Sequence, residues 1–252
     1  MKSGEGYHYG LSGNALKIIA ALSMLIDHIG FVLFPNVEIL RIIGRLAFPI
    51  YAFMISEGCA YTKNRLRYFL TVFVLGVVCQ IVYYLYDGST DMGILITFSL
   101  SILVIYAMQY LKETVFDSEC GRIKQWIAFL MLCAVIAVVY LLNMYVDIDY
   151  GFAGCMTPVL ASVFRKTRSG SLICFERFDN RIVHVLMLGI GLIIISCELG
   201  VIQFYSLISI PLLMLYSGRR GKYKMKYFFY IFYPVHLVVL ECISEIMMNR
   251  VL

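Results

Sequence analysis

Nine stretches of this chain, near residues 14–34, 39–61, 66–86, 93–111, 125–145, 149–164, 181–198, 201–216 and 227–248, are apolar enough to lie in lipid. Roughly 17 to 25 such residues carry a helix through a bilayer. Lipid offers no hydrogen-bond partners, so only helices and closed barrels can span it, and runs this long select helices. The sixth and eighth stretches are short and are expected to be tilted, re-entrant or buried by their neighbours. Composition agrees: 61% of the 252 residues are hydrophobic and 15% charged, against roughly 45–50% and 25% in soluble domains. The expected fold is all-α, a polytopic membrane bundle of about nine transmembrane helices forming a single domain over 1–252. The first run is too long and too charged for a cleaved signal peptide and is expected to stay as the first helix.

The connections carry charge in alternation. Lys63, Arg65 and Arg67 follow the second stretch, Lys112, Arg122 and Lys124 the fourth, Arg165, Lys166, Arg168, Arg177 and Arg181 the sixth, and Arg219, Arg220, Lys222, Lys224 and Lys226 the eighth. The connections after the third, fifth and seventh hold Asp87, Asp91, Asp147, Asp149 and Glu198 and no Lys or Arg. Positive loops stay in the cytoplasm, so the N-terminus is expected inside and the C-terminus outside, in a multi-pass cell-membrane protein. This distribution explains the formal net charge of +5 as a topology signal and makes nucleic acid an unlikely partner. Eight cysteines, Cys59, Cys79, Cys120, Cys133, Cys155, Cys174, Cys197 and Cys242, have no C-x-x-C spacing. They read as small core residues, with neither a disulfide framework nor a metal site. No P-loop or dinucleotide fingerprint is present.

Ionisable residues inside the apolar runs are costly and point to function. The first run, LKIIAALSMLIDHIGFVLF over 16–34, holds Lys17, Asp27 and His28. Lys17 and His28 lie about 16 Å apart along a helix and about 20° apart around it, which suits a long ligand with an anionic head and a reactive tail, such as coenzyme A. The structural alternative is that Lys17 only snorkels to the interface and Asp27 only neutralises a neighbouring Arg. Arg41 and Arg45 share a face of the second helix. By depth Arg45 matches Asp27 and Glu57 matches Lys17, so two cross-helix ion pairs are expected, the second competing with a ligand role for Lys17. Asp27 and His28 point about 100° apart, so Asp27 is not expected to orient His28. In the last run Pro234 should kink the helix before His236, the other buried imidazole. His8 and His184 are given no role. Asp147, Asp149 and Tyr150 read first as a solvated negative loop.

Three segments, LKIIAALSMLIDHIG, LRIIGRLAFPIYAFMISEGCAYTKN and LYSGRRGKYKMKYFFYIFYPVHL, resemble the TraX family of bacterial inner-membrane proteins, named for the conjugation protein that acetylates the N-terminus of F-type pilin. The shared motifs are D-H, G-R-x-x-[FA]-P and Y-P-x-H. The chain also looks distantly like the acyltransferase type 3 group, whose R-x10-H reads here as Lys17-x10-His28. The resemblance implies an acyltransferase that moves an acetyl or acyl group from cytoplasmic acetyl-CoA to an acceptor on the outer side, by resemblance the N-terminal amine of a pilin-like peptide. On that reading His28 is the general base. Asp27 and Arg45 fix the polar pocket, Arg45 being also an alternative oxyanion stabiliser, and His236 is a second candidate base. Lys17 belongs to the acyl-CoA site, with Glu57 beside it and Arg219, Arg220 and Lys222 as further phosphate candidates. Alternatives are O-acetylation of a surface glycan or lipid, a proton-coupled transporter, or a non-catalytic component of a secretion or conjugation complex. Repeated halves with interrupted helices, the usual transporter pointer, are not seen.

Overall fold

The computed structural model describes residues 10–88, 90–117, 120–167, 176–223 and 225–248. His8, Arg168, Cys174 and Lys224 lie outside the described residues. Ten α-helices and one 3₁₀ segment are described: α1 (Gly13–Val32), α2 (Glu38–Gly44), α3 (Ala47–Tyr61), α4 (Arg65–Asp87), α5 (Ile94–Phe116), α6 (Arg122–Tyr145), α7 (Gly151–Ser162), α8 (Arg181–Leu199), the 3₁₀ helix Val201–Ile208, α9 (Ser209–Met214) and α10 (Lys226–Met248). Among the described residues seven segments are long and apolar enough to cross a membrane, and Gly151–Ser162 and Val201–Met214 are shorter apolar pieces. The chain is a polytopic membrane protein.

Helix starts follow local chemistry. The Ser12 hydroxyl accepts from the Ala15 N–H at 3.2 Å, Asn64 Oδ1 from Arg67 N–H at 2.9 Å and Asn180 Oδ1 from Val183 N–H at 3.0 Å, each satisfying a backbone donor that the first turn leaves open. The expected second span departs from a continuous helix, because Arg45 and Leu46 separate α2 from α3. Pro49, in the first turn of α3, has no N–H to offer the Arg45 carbonyl. The sixth and eighth stretches are short, as expected, the eighth beginning as 3₁₀ helix.

α7 sits in the middle, packed against α3, α5 and α8. Its neighbours approach closely through small residues, as membrane helices do: a Cβ on Gly191 of α8 would lie 2.7 Å from Thr157 Oγ1 of α7. α4 and α6 lie outside and expose Leu85, Leu130 and Leu141, a surface for lipid. Of the cysteines, Cys59, Cys79 and Cys155 are core residues as expected, but Cys133, Cys197 and Cys242 are exposed.

The two ends differ. At one, the acidic connections meet: Met92 N–H donates to Asp147 O at 2.7 Å and Asp149 N–H to Met92 O at 2.9 Å. At the other, the segment before α10 closes over the start of α1, with Gly13 N–H donating to Arg219 O at 2.8 Å and Asn14 N–H to Arg220 O at 3.0 Å.

Candidate functional site

The site begins where α1 and α2 touch. A Cβ on Gly44 would fall onto the Oδ1, Cβ and Cγ of Asp27, so only glycine lets α2 come this close. The expected pair forms there, with Arg45 Nη2 3.1 Å from Asp27 Oδ1. Arg41, one turn earlier on the same face, adds a second ion pair from Nη1 to Oδ2 at 3.0 Å, and its guanidinium lies 5.2 Å over the Phe31 ring. One carboxylate thus serves two guanidiniums.

Each nitrogen of Arg45 is held by protein. Its Nε donates to the Arg41 carbonyl at 3.3 Å, Nη1 donates to Gln203 Oε1 at 3.1 Å and to Tyr150 Oη at 3.4 Å, and Nη2 donates to Asp27 Oδ1 at 3.1 Å and Oδ2 at 3.4 Å. A guanidinium has three nitrogens and five N–H donors, and every nitrogen has a protein acceptor. A direct contact from Arg45 to an oxyanion, the alternative role expected for it, would have to replace one of these partners. Gln203, on the 3₁₀ helix, carried no sequence signal. Nothing distinguishes it from the apolar residues around it except its amide.

His28 points away from Asp27, as the 100° step requires, and meets His236 on α10. His28 Nδ1 and His236 Nε2 are 2.8 Å apart with ring planes 11° from parallel. His236 Nδ1 lies 2.9 Å from the Phe232 carbonyl. A carbonyl can only accept, so Nδ1 of His236 carries hydrogen, and with both rings neutral its Nε2 holds the lone pair. His28 Nδ1 must then be the donor, which leaves His28 Nε2 as the unprotonated nitrogen. The two candidate bases therefore form one hydrogen-bonded pair, with His236 behind His28.

His28 and Asp27 line a cavity of about 430 Å³ together with Gly44, Phe48, Tyr51, Tyr83, Asp91, Asp147, Asp149, Tyr150 and Tyr233. Four aspartates and no lysine or arginine are in its lining. Asp147 and Asp149 are exposed, as the solvated-loop reading expects, while Tyr150 is half-buried, and all three also line this cavity. Asp149 is exposed, yet the protein around it displaces enough water to push its carboxyl up to about 6 despite the nearby Arg45. Tyr150 precedes α7 with a left-handed φ of 61°, and its ring stacks on Phe48 at 4.2 Å. Gly154 is required beneath it, since a Cβ there would strike the Tyr150 Cβ.

The residues expected at the acyl-CoA site divide. Lys17 comes close to the segment of exposed Arg219, Arg220 and Lys222, at the end of α1 opposite the cavity. Glu57 does not join them. It forms an ion pair with Arg165, whose Nε donates to Ser56 Oγ at 2.9 Å, and it accepts from Tyr216 Oη at 3.4 Å. Matching depth could not choose between Lys17 and Arg165, and the choice fell on Arg165. Nearby, Lys112 Nζ donates to the carbonyls of Ser162, Val163 and Arg165 at 3.1, 2.6 and 3.2 Å, a cation at the C-terminal end of α7 where the helix dipole favours one. His184 lies in the first turn of α8, with Nε2 3.2 Å from Asp179 Oδ1. This second polar cluster balances its own charges and reads as structure. Between Lys17 and His28, Ala20, Ala21 and Met24 are buried, and Met24 packs in one cluster with Tyr233 and Leu237 of α10.

No solved structure matches this chain. Among proteins of known sequence, it is 29% identical over 171 residues to uncharacterized protein RP591 of Rickettsia prowazekii (strain Madrid E), a match covering 67% of this chain and 62% of that protein. The chain thus spans less than two thirds of that relative's length. It is 22% identical over 243 residues, 89% of this chain and 92% of the other, to a Dichelobacter nodosus protein named "Probable fimbrial assembly protein FimC, serogroup H1". A family model described as TraX protein matches residues 12–244, a range that holds the Asp27–Arg45 pair, the acidic cavity and the His28–His236 pair. The chain belongs to the TraX family.

Proposed function

We propose that the protein is a membrane acyltransferase that moves an acetyl group from acetyl-CoA to an amine presented in the acidic cavity, in the cytoplasmic membrane of a bacterium. The observation that carries this reading is the His28–His236 relay, which leaves a lone pair on His28 Nε2 beside a cavity. A base set by a second group that fixes its tautomer is the usual arrangement for proton removal in acyl transfer. Four aspartates and four tyrosines in the lining favour a cationic ammonium over an anionic glycan or lipid. A peptide N-terminus fits this chemistry, and the fimbrial name of one relative supports a pilin-like peptide. The basic end, with Lys17, Arg219, Arg220 and Lys222, would take the CoA phosphates from the cytoplasm. The acyl arm would reach His28 along α1 when the Met24 seam against α10 parts.

The test is transfer of labelled acetyl from acetyl-CoA to a peptide with a free N-terminal amine, by purified protein in detergent. No transfer to any amine, together with proton flux in liposomes, would replace this reading with the transporter. Two residue-level results are expected. Lys17→Ala should weaken CoA binding by roughly tenfold at low salt, and the loss should shrink as salt screens the charge. Unchanged affinity at low salt would move the phosphate site to Arg219 and Arg220. Asp149, raised to about 6, is a carboxylate above that pH and neutral below it, so acceptor KM should rise as pH falls through about 6. Asp149→Asn should raise KM at pH 7 and remove this inflection. A profile unaltered by that substitution would show that Asp149 does not hold the acceptor.

A further inference from the structure

We propose that the hydroxyl of Tyr150 donates the hydrogen bond that stabilises the oxyanion of the acyl-transfer intermediate, with Arg45 acting behind it. This rests on the acyl-transfer reading above. Arg45 can only donate, so at its 3.4 Å contact with Nη1 the Tyr150 oxygen is the acceptor. The phenol hydrogen must then point elsewhere, and among the described residues no acceptor for it is found. Tyr150 lines the same cavity as His28. Burial and Asp149 push the phenol above its usual range, so it keeps its hydrogen at neutral pH.

The geometry is built rather than incidental. Tyr150 is the described non-glycine residue with positive φ, a strained conformation that concentrates at functional sites. Phe48 clamps one ring face at 4.2 Å, Gly154 leaves room for its Cβ, and Gln203 shares Arg45 Nη1 at 3.1 Å. The guanidinium polarises the phenol and makes it a stronger donor. Tyr51, Tyr83 and Tyr233 also line the cavity, but among the described residues no arginine donates to their hydroxyls.

In the step this serves, the bound ammonium first gives one proton to solvent water, and the neutral amine nitrogen then forms a bond to the thioester carbonyl carbon while the C=O π pair moves onto oxygen. His28 Nε2 takes one proton from that nitrogen, and Tyr150 donates to the new oxyanion. The pair then returns to C=O, the C–S bond breaks, and the CoA thiolate leaves with the proton held by His28. The amide, free CoA thiol and neutral His28 balance the step.

Tyr150→Phe keeps the ring and its stacking, and Arg45 Nη1 keeps Gln203. It should lower kcat by 10²- to 10³-fold, the loss seen when one oxyanion donor is removed, with KM for acetyl-CoA and for the amine within about twofold and the melting temperature unchanged. A kcat within threefold of wild type overturns the proposal, as does a larger kcat loss in Tyr51→Phe or Tyr83→Phe. Should Tyr150→Phe misfold, 3-fluorotyrosine at position 150, whose hydroxyl is a stronger acid, keeps the hydrogen bond and should change kcat with no change in KM. An unchanged kcat there likewise overturns it. If the wild-type protein transfers nothing, the acyl-transfer reading itself fails, a result distinct from a wild type that transfers and a Tyr150→Phe that transfers equally well.

Discussion

His28→Asn should fold and bind CoA as the wild type does, yet transfer acetyl groups 10²- to 10⁴-fold more slowly, the range a general base contributes. The Asn amide can donate to His236 Nε2 as His28 Nδ1–H does, so the link between α1 and α10 survives while the basic nitrogen is gone. His236→Ala removes only the group behind the base and should cost less, because water can take the Nδ1 hydrogen of His28. A single-turnover measurement with preloaded acetyl-CoA separates chemistry from binding. Should His236→Ala prove the more damaging and His28→Asn nearly neutral, the base is His236 and the relay runs the other way.

The second large effect is expected in stability. Asp27→Leu removes the carboxylate that Arg41 and Arg45 share and leaves two cations in a low-dielectric interior. Breaking a buried ion pair on one side costs about 3–5 kcal/mol, enough to lower the thermal midpoint in detergent by many degrees or to prevent recovery of folded protein. The double variant Asp27→Leu with Arg45→Met should recover part of that loss, since it leaves only Arg41, which is 30% exposed and can turn to water. If Asp27→Leu alone melts within a degree or two of wild type, the two arginines hold other counter-charges and the pocket is not built on Asp27.

The bundle was readable from the sequence because the bilayer imposes one rule on every span. Apolar length gave the segments, and costly residues inside them gave Asp27, His28, Arg45 and His236, which the structure brings to one end. What the sequence withheld was three-dimensional choice. Glu57 had two cations at suitable depth, and only packing shows that Arg165, far along the chain, is the partner. The break at Arg45 had its signals in Gly44 and Pro49, yet both are common in membrane helices and neither alone interrupts one. Asp149 and Tyr150 looked like any polar loop, since nothing local reveals that Met92 and Thr97 fold the loop back over a cavity. Gln203 was hidden by its neighbours, and its role depends wholly on a guanidinium from another segment.

That guanidinium has a mechanical consequence. Through one side chain, Arg45 holds the C-terminal half of α1 by Asp27, the end of α2 by the Arg41 carbonyl, the entry to α7 by Tyr150 and the 3₁₀ helix by Gln203. Segments tied at a single knot loosen together, as one cooperative unit of local opening. Their amide hydrogens should therefore exchange with solvent in concert, at a common rate, while α10, joined through its own histidine, keeps separate time.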